Sequence, residues 1–450
     1  MKNNHNQPTN SIETLAKRTA VPLRHFSIAA VLVAVSMLAP QRAQAAAGDL
    51  DSRFGNGGVA VTDFSQTDDY AYAVTVQPDG RIIVSGQSGI YPDLHTALAR
   101  YTRNGRLDST FGTGGKVAVT LDPGGDYLDA LVLQSDGKIV GAGSTHGTSF
   151  LIARFNADGS LDQAFGNNGS VVTTFGDPTA AGKAVVLQAD GKIVVVGVSG
   201  AGPYSELNDF VVARYNSDGS LDQTFGSGGK VKTHFPGVDN TGSSATSIAS
   251  QADGKLVVSG FYKNERTPHE FALARYNSNG SLDSTFGSSG KITTRIGAGD
   301  AYSFGIVLQS NGRIVLAGYS ETTQDHDFTL VGYTSNGTLD LSFGNGGRVA
   351  TDFAGATDDI AYAMTMQSDG KLVVAGRTGD YPEFDFGLIR YSSDGQLDQS
   401  FGTGGKVATN FSSSDQAYAV LLQLNGRIVL AGISFNGANY DFTVARYLGR

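Results

Sequence analysis

The 450-residue chain has no Cys and no Trp, 60 Gly but only 11 Pro, and a formal net charge of −9. These numbers exclude disulfides, thiolate metal sites and a Cys nucleophile. So much Gly without a triplet period indicates many tight turns rather than a collagen-like helix.

The first 45 residues differ from the rest. Basic residues precede an apolar run of 13 residues over 26–38, and Ala43-Gln44-Ala45 follows as a cleavage motif. We expect residues 1–45 to be a secretory signal peptide cleaved near Ala45, because a membrane anchor needs about 18 or more apolar residues. The sequence therefore predicts a secreted or periplasmic protein without stable membrane insertion.

Removing residues 1–45 takes away five basic residues and one Glu, so the formal net charge falls to −13. An acidic exterior disfavours nucleic acid and anionic membrane as partners. It suits cations, or simply solubility.

Residues 46–450 consist of seven copies of an approximately 58-residue repeat. Each copy opens with the connector Leu-Asp-x-x-Phe-Gly-x-x-Gly, which starts at Leu50, Leu107, Leu161, Leu221, Leu282, Leu339 and Leu397. A fixed period of this length indicates a repeat architecture.

The third copy shows the predicted elements in chain order. After its connector come a short strand over 171–175, a variable loop, a strand over 184–188, a Val/Ile-rich strand over 192–198, a second variable loop and a last strand over 210–215. Asp190-Gly191 and Asp218-Gly219 predict two-residue type I′ turns, whose central residues both have positive φ. No stretch has the 3.6-residue apolar period of a helix.

Four short antiparallel strands in each of seven copies predict an all-β, seven-bladed β-propeller with four-stranded blades. A β-solenoid is the alternative, but its coils are usually shorter and lack paired Asp-Gly turns. The chain begins with a single strand over 59–64 and ends with a last-type strand over 442–447. We expect the N-terminal strand to pair with the last blade and close the ring.

The connector, Gln-x-Asp-Gly-Lys and Ala-Arg-Tyr-Asn-x-Asp-Gly together resemble the bacterial delta-60 repeat β-propeller family. The resemblance covers essentially everything after residue 45 and implies an exported propeller. The family carries no settled activity, so it implies nothing about the reaction or ligand.

One Arg of the last strand and one Asp of the connector recur in nearly every copy, as in Arg214 and Asp222. One such pair per copy predicts a structural ion pair, because a partly buried Arg prefers a carboxylate partner. Gly332 replaces the Arg in one copy.

Two kinds of loop vary in length and content, whereas the Asp-Gly turns and the connectors do not. In an up-and-down blade both variable loops lie on one face, which we call the variable face; the opposite one is the constant face. Binding residues sit on loops held by a rigid scaffold, so the variable face is the predicted binding face. Its candidate ligand-binding residues are Tyr204, Tyr262, Tyr381, Asp209, Glu270, Asp327, Asp385 and Asp441.

The carboxylates of this face have two interpretations. A ring of oxygens could hold Ca²⁺, which takes six to eight oxygen ligands; alternatively, Asp caps turns. The absence of a D-x-D-x-D-G loop disfavours the metal, and no other cofactor is predicted. The His residues after residue 45 lie in different copies, so a His site requires that they converge on the axis.

No nucleophile elbow or H-E-x-x-H motif occurs, so no catalytic residue is predicted. We expect a monomeric binding or scaffold module with a protein or glycan partner rather than an enzyme. The alternative is a metal-dependent hydrolase or lactonase-like enzyme with a site at the axial mouth. Convergent carboxylates or His at the axis would favour the enzyme.

Overall fold

The computed structural model describes residues 45–450 except 91–92, 146, 203–207, 236–241, 264–266, 324, 354 and 356. The predicted signal peptide, apart from its last residue, lies outside the described residues. The described residues form seven four-stranded antiparallel sheets and contain no helix, which confirms the predicted seven-bladed β-propeller. No membrane-spanning helix is found in the part of the chain that the structure describes.

Each blade has an inner, a second, a third and an outer strand, and the inner strands contact one another around the axis. The inner strands are β2 (Asp69–Val76), β6 (Asp126–Leu133), β10 (Thr179–Leu187), β14 (Gly242–Ser250), β18 (Ala301–Leu308), β22 (Ile360–Met366) and β26 (Asp415–Leu422). The second strands are β3 (Ile82–Ile90), β7 (Ile139–Thr145), β11 (Ile193–Gly200), β15 (Leu256–Lys263), β19 (Ile314–Glu321), β23 (Leu372–Thr378) and β27 (Ile428–Phe435). The third strands are β4 (Asp93–Tyr101), β8 (Ser149–Phe155), β12 (Asn208–Tyr215), β16 (Glu270–Tyr276), β20 (His326–Tyr333), β24 (Asp385–Tyr391) and β28 (Tyr440–Tyr447). The outer strands are β5 (Lys116–Val119), β9 (Ser170–Thr173), β13 (Lys230–Thr233), β17 (Lys291–Thr294), β21 (Arg348–Thr351), β25 (Lys406–Thr409) and β1 (Val59–Thr62).

The N-terminal strand β1 supplies the outer strand of the seventh blade. It pairs antiparallel with β28, with Val59 opposite Ala445 and Thr62 opposite Phe442. The seventh blade is therefore built from both ends of the chain, and β28 has a partner on each side.

The Asp-Gly turns have three residues, which corrects the two-residue type I′ geometry that the sequence predicts. After β2, the Gln77 N–H donates to the Arg81 carbonyl and the Gly80 N–H donates to the Gln77 carbonyl, each at 2.8 Å. Gly80 has a φ of 85°, so the turn is type I followed by a left-handed Gly. Asp79 Oδ1 accepts the Arg81 N–H at 3.0 Å; the Asp caps the turn and needs no positive φ.

The apolar core lies between neighbouring blades. Val194 and Phe210 of the third blade share one buried cluster with Val258 and Ala272 of the fourth. The connector residue Phe225 is fully buried in the same cluster. Because each blade buries its apolar faces against its neighbours, the stability of one blade depends on the next.

The repeated Arg and Asp form ion pairs, as predicted. Arg214 Nε lies 2.8 Å from Asp222 Oδ2, and the Arg214 guanidinium carbon lies 4.4 Å from the centre of the Phe225 ring. In the fifth blade, where Gly332 replaces the Arg, Nε of Arg313, the residue just before β19, lies 2.6 Å from Asp340 Oδ2. The equivalent pairs of the other blades are Arg100–Asp108, Arg154–Asp162, Arg275–Asp283, Arg390–Asp398 and Arg446–Asp51.

Candidate functional site

The three Tyr predicted for binding have different surroundings. Tyr204 lies outside the described residues, and Tyr381 is 86% exposed. Tyr262 is only 5% exposed and belongs to β15, and its ring centre lies 5.7 Å from that of Phe235. The predicted loop position of Tyr262 is wrong, because the Val/Ile strand extends beyond the last Val and the Tyr ring fills space between two blades.

The five predicted carboxylates each lie within the first two residues of a third strand in a different blade, and they do not meet at the axis. Asp385 Oδ1 accepts a hydrogen bond from the Asn410 amide at 2.8 Å. Asp209 Oδ1 lies 2.9 Å from His234 Nδ1. Their common position reflects the repeat, and the partners of Asp385 and Asp209 come from the loop after the outer strand. The full set is Asp209, Glu270, Asp327, Asp385 and Asp441.

Other carboxylates of the variable face cap loops. Asp126 Oδ2 accepts the N–H groups of Leu121 and Asp122 at 2.7 and 2.9 Å. Asp415 Oδ2 accepts the Phe411 N–H at 2.6 Å. The turn-capping interpretation is confirmed for these two residues.

Every inner strand carries a β-bulge at the same position. The second strand makes room for it with a Gly, because a Cβ on Gly318 would overlap the Tyr302 carbonyl oxygen, and the other six blades repeat this arrangement. A bulge re-aims the side chain of the extra residue. The seven bulge residues are Tyr72, Asp129, Lys183, Thr246, Phe304, Tyr362 and Tyr418.

All seven bulge residues line one cavity of about 520 Å³ at the axis, which we call the axial channel. Four of them form an aromatic arc: the ring centres are 5.9 Å apart for Phe304 and Tyr362, 5.1 Å for Tyr362 and Tyr418, and 5.7 Å for Tyr418 and Tyr72. Asp129, Lys183 and Thr246 complete the ring as a polar side. An apolar wall with a few convergent polar groups is typical of a small-molecule site.

The polar side of the axial channel is an ion pair. Lys183 Nζ lies 3.0 Å from Asp129 Oδ2. Burial raises the pKa of the Asp129 carboxyl, although Lys183 opposes the shift. Burial alone would lower the pKa of Lys183, but Asp129 and Tyr127 hold that pKa above its ordinary value. Burial and the Asp129 charge also raise the pKa of Tyr72, so its hydroxyl stays protonated at neutral pH.

A groove of about 440 Å³ reaches the axial channel from the variable face and shares Lys183, Ser244 and Tyr302 with it. At its wall, the Tyr302 hydroxyl lies 2.8 Å from His269 Nδ1, and the backbone N–H of His269 donates to Asp300 Oδ1 at 2.8 Å. Although burial opposes the shift, the hydrogen bond and charge of His269 lower the pKa of Asp300. Burial and Asp300 raise the pKa of Tyr302.

Among the residues that the structure describes, two groups of three acidic residues are close enough to share a cation, and neither includes a residue that lines the axial channel. One is Asp63, Asp69 and Asp441; the other is Asp327, Asp352 and Asp359. Burial and neighbouring carboxylates raise the pKa of Asp69, and that of Asp327, to about 6. Both acidic groups found in the described part of the chain therefore lie away from the axial channel.

A larger cavity, about 720 Å³, lies on the constant face beside the first blade. Its wall includes turn residues such as Gln77, Gly80 and Asn425 together with the ends of strands such as β2 and β6. Two of its cations, Arg427 and Arg446, already pair with Asp51. Since repeated structural residues form this wall, we assign it no function.

Sequence reasoning missed the axial channel because it began the inner strands too late, at residue 184 in the third copy rather than at Thr179. Two signals were present in the chain. A Gly recurs in the middle of every second strand, and Gly inside a strand often marks a bulge. The inner-strand residue at the bulge, which faces this Gly, differs in chemistry from copy to copy: it is Tyr72, then Asp129, then Lys183. The residues on either side of the bulge residue stay small or apolar in every copy.

Six segments of the chain match the family model described as "Domain of unknown function (DUF5122) beta-propeller": residues 77–111, 134–165, 188–225, 251–286, 309–343 and 367–401. The match supports a β-propeller repeat family of unknown function. A search of curated proteins finds no similar sequence.

Solved structures similar to this chain share little sequence identity with it. The polysaccharide lyase Uly1 has a TM-score of 0.51 at 10% identity, over 90% of this chain and 98% of its own. A catalytically inactive virginiamycin B lyase from Staphylococcus aureus, with quinupristin, has a TM-score of 0.48 at 12% identity, over 86% and 98%. Sqt1 from Chaetomium thermophilum has a TM-score of 0.48 at 12% identity, over 87% and 99%. At these identities the likeness concerns the fold alone.

Proposed function

We propose that this chain is an exported binding module of the delta-60 repeat type that takes the end of a glycan into the axial channel from the variable face. The observation that carries the proposal is the aromatic arc facing the Asp129–Lys183 ion pair across one cavity. Aromatic rings pack well against partly apolar ligands, and carboxylate, ammonium and hydroxyl groups can hydrogen-bond sugar hydroxyls.

The dimensions of the site favour a chain end over a folded protein. A cavity of about 520 Å³ lies within the range of small-molecule sites, and a folded domain cannot enter it. The variable loops around the mouth, including the exposed Tyr381, would contact the rest of the glycan. Because the protein is acidic, we expect neutral or basic sugars to bind better than polyanionic ones.

The proposal predicts that Tyr362→Ala weakens glycan binding at least about tenfold, since the variant removes the centre of the aromatic arc. A glycan array first identifies an oligosaccharide that binds the wild type, and isothermal titration then measures its affinity for each variant. Tyr381→Ser is the comparison variant: it removes an exposed Tyr of the same face that does not line the channel, so we expect a smaller loss. A larger loss in Tyr381→Ser than in Tyr362→Ala would contradict axial binding.

A second candidate, an enzyme acting at the channel mouth, is supported by the hydrogen-bonded His269, Tyr302 and Asp300 beside Lys183. His and Tyr can move protons when they touch a substrate. The protonated Tyr302 hydroxyl is the group positioned to donate one.

Tyr302→Phe separates the two candidates because it keeps the ring and removes only the hydroxyl. A binding module should lose at most a few-fold in affinity. An enzyme should lose at least about a hundredfold in turnover, measured by release of new chain ends from the glycan identified on the array. The absence of any turnover by the wild type would remove the enzyme candidate.

A further inference from the structure

Three carboxylates meet where the seventh blade joins the first. Asp63 follows β1, Asp69 begins β2 and Asp441 lies near the start of β28. One oxygen of each carboxylate lies within 4.8 Å of those of the other two. Both ends of the chain therefore contribute to one acidic group, which we call the closure site.

Two of these carboxylates are buried, and each has an oxygen without a hydrogen-bond partner. Asp69 is fully buried and Asp441 is 5% exposed. Asp69 Oδ2 accepts the Phe64 N–H at 2.7 Å, and Asp441 Oδ2 accepts the Asn436 amide at 2.9 Å. Oδ1 of neither residue accepts a hydrogen bond, although the nearby Ser88 hydroxyl acts to lower the pKa of Asp69. Leaving a buried carboxylate oxygen without a donor or cation is costly, so both oxygens indicate a positively charged ligand.

At two other blade junctions, the residue equivalent to Asp441 is hydrogen-bonded by the side chain equivalent to Asp63. His95 Nδ1 lies 2.8 Å from Thr120 Oγ1, and the Asn410 amide donates to Asp385 at 2.8 Å. At the closure site, Asp63 instead adds a third negative charge. Lys116 does not neutralise it by direct pairing, because Nζ donates to the Asp63 backbone carbonyl, at 3.0 Å. The residues equivalent to Asp63 at five of the other junctions are Thr120, Thr174, His234, Arg295 and Asn410.

We propose that the closure site binds one Ca²⁺. Ca²⁺ takes six to eight oxygen ligands at about 2.3–2.6 Å in a flexible geometry, whereas Mg²⁺ demands a near-ideal octahedron. Three carboxylate oxygens that all lie within 4.8 Å of one another can contact one such ion. Asp63 is exposed, so water can complete the six to eight ligands. The ion would connect the last blade to the first.

The junction between the fifth and sixth blades has the same three positions, occupied by Asp327, Asp352 and Asp359. There the fully buried Asp359 has both oxygens bonded: Oδ1 accepts the Thr378 hydroxyl at 2.6 Å and Oδ2 accepts the Phe353 N–H at 2.7 Å. We infer no site at that junction, and it provides an internal control.

Isothermal titration of EDTA-treated protein with CaCl₂ tests the closure site. We expect one Ca²⁺ per chain with a Kd of about 10⁻⁴ M or tighter, and a Tm about 3–5 °C higher in about 10 mM CaCl₂ than in EDTA. Asp63→Asn copies the Asp385–Asn410 arrangement, so it should weaken Ca²⁺ binding at least tenfold, abolish the Tm shift and unfold in EDTA no earlier than the wild type. Asp352→Asn makes the same change at the control junction and should keep both responses.

Wild-type protein that neither binds Ca²⁺ nor gains stability from it would overturn the proposal. So would wild-type affinity in Asp63→Asn, or a loss confined to Asp352→Asn. An equal response to MgCl₂ would overturn the assignment to calcium. If circular dichroism shows that Asp63→Asn does not fold, Asp441→Asn takes its place with the same expected loss.

Discussion

Deleting residues 46–64 should destabilise the propeller by more than about 5 kcal/mol or prevent soluble expression. The deletion removes the fully buried Phe54, and losing a buried Phe costs about 3–5 kcal/mol. It also removes Asp51, which leaves the mostly buried Arg446 without its carboxylate, a loss of similar size. In addition, β28 becomes an unpaired edge, which favours aggregation. Thermal unfolding and the soluble yield measure the effect.

The matched control restores the missing strand from outside the chain. A synthetic peptide of residues 46–64 added to the truncated protein should pair with β28 and recover most of the lost Tm. Val61→Thr within the intact chain should change the Tm little, because Val61 is 52% exposed. An unchanged Tm in the truncated protein would show that β1 does not hold the ring together.

Arg214→Ala should destabilise the protein by about 3–5 kcal/mol, because it leaves Asp222 buried with a weaker partner. Arg214 is 5% and Asp222 4% exposed. Arg214 also donates to the Ser278 carbonyl at 2.5 Å, so the variant loses this hydrogen bond to the following blade as well. Lys192 Nζ, 3.3 Å from Asp222, offsets part of the loss. Chemical denaturation measures the difference, and the exposed Arg106→Ala should change stability by less than about 0.5 kcal/mol.

The destabilisation in Arg214→Ala should depend on pH in one direction. Burial would raise the pKa of Asp222, but hydrogen bonds from Thr224 and the charges of Lys192 and Arg214 hold it below its ordinary value of 3.8. A carboxyl whose folded pKa is depressed contributes stability above its unfolded pKa and loses it as the pH falls. The difference between the wild type and Arg214→Ala should therefore be complete above about pH 5 and shrink below about pH 4. A difference that grows on acidification would contradict the ion-pair explanation.

The architecture could be predicted because the chain contains seven copies of the same pattern. Asp-Gly turns, Val/Ile strands and the Leu-Asp connector recur at fixed places, and their agreement identifies the blades even where one copy is ambiguous. The Arg–Asp pairs could be predicted for the same reason. The turn type was wrong because Asp-Gly suits both a two-residue turn and a type I turn with a left-handed Gly. Only the backbone distinguishes them, as at Asp79-Gly80.

The candidate site was harder to predict because it is built from what differs between copies. Because the loops vary between copies, the sequence predicts binding residues such as Tyr262 on the variable face. The residues that converge at the axial channel are instead strand residues displaced by bulges. A bulge changes which face a side chain occupies, so simple alternation places Tyr362 or Lys183 incorrectly. The closure site depends on residues almost 380 positions apart, Asp63 and Asp441, and only ring closure brings them together.

The central proposal is that a glycan end occupies the axial channel, and a crystal structure of the protein with the oligosaccharide found on the glycan array tests it most directly. We expect electron density for a sugar ring between Tyr362 and Lys183, entering along the groove beside Tyr302. An empty axial channel would contradict the proposal, with sugar density only at the variable loops near Tyr381 or on the constant face near Gln77.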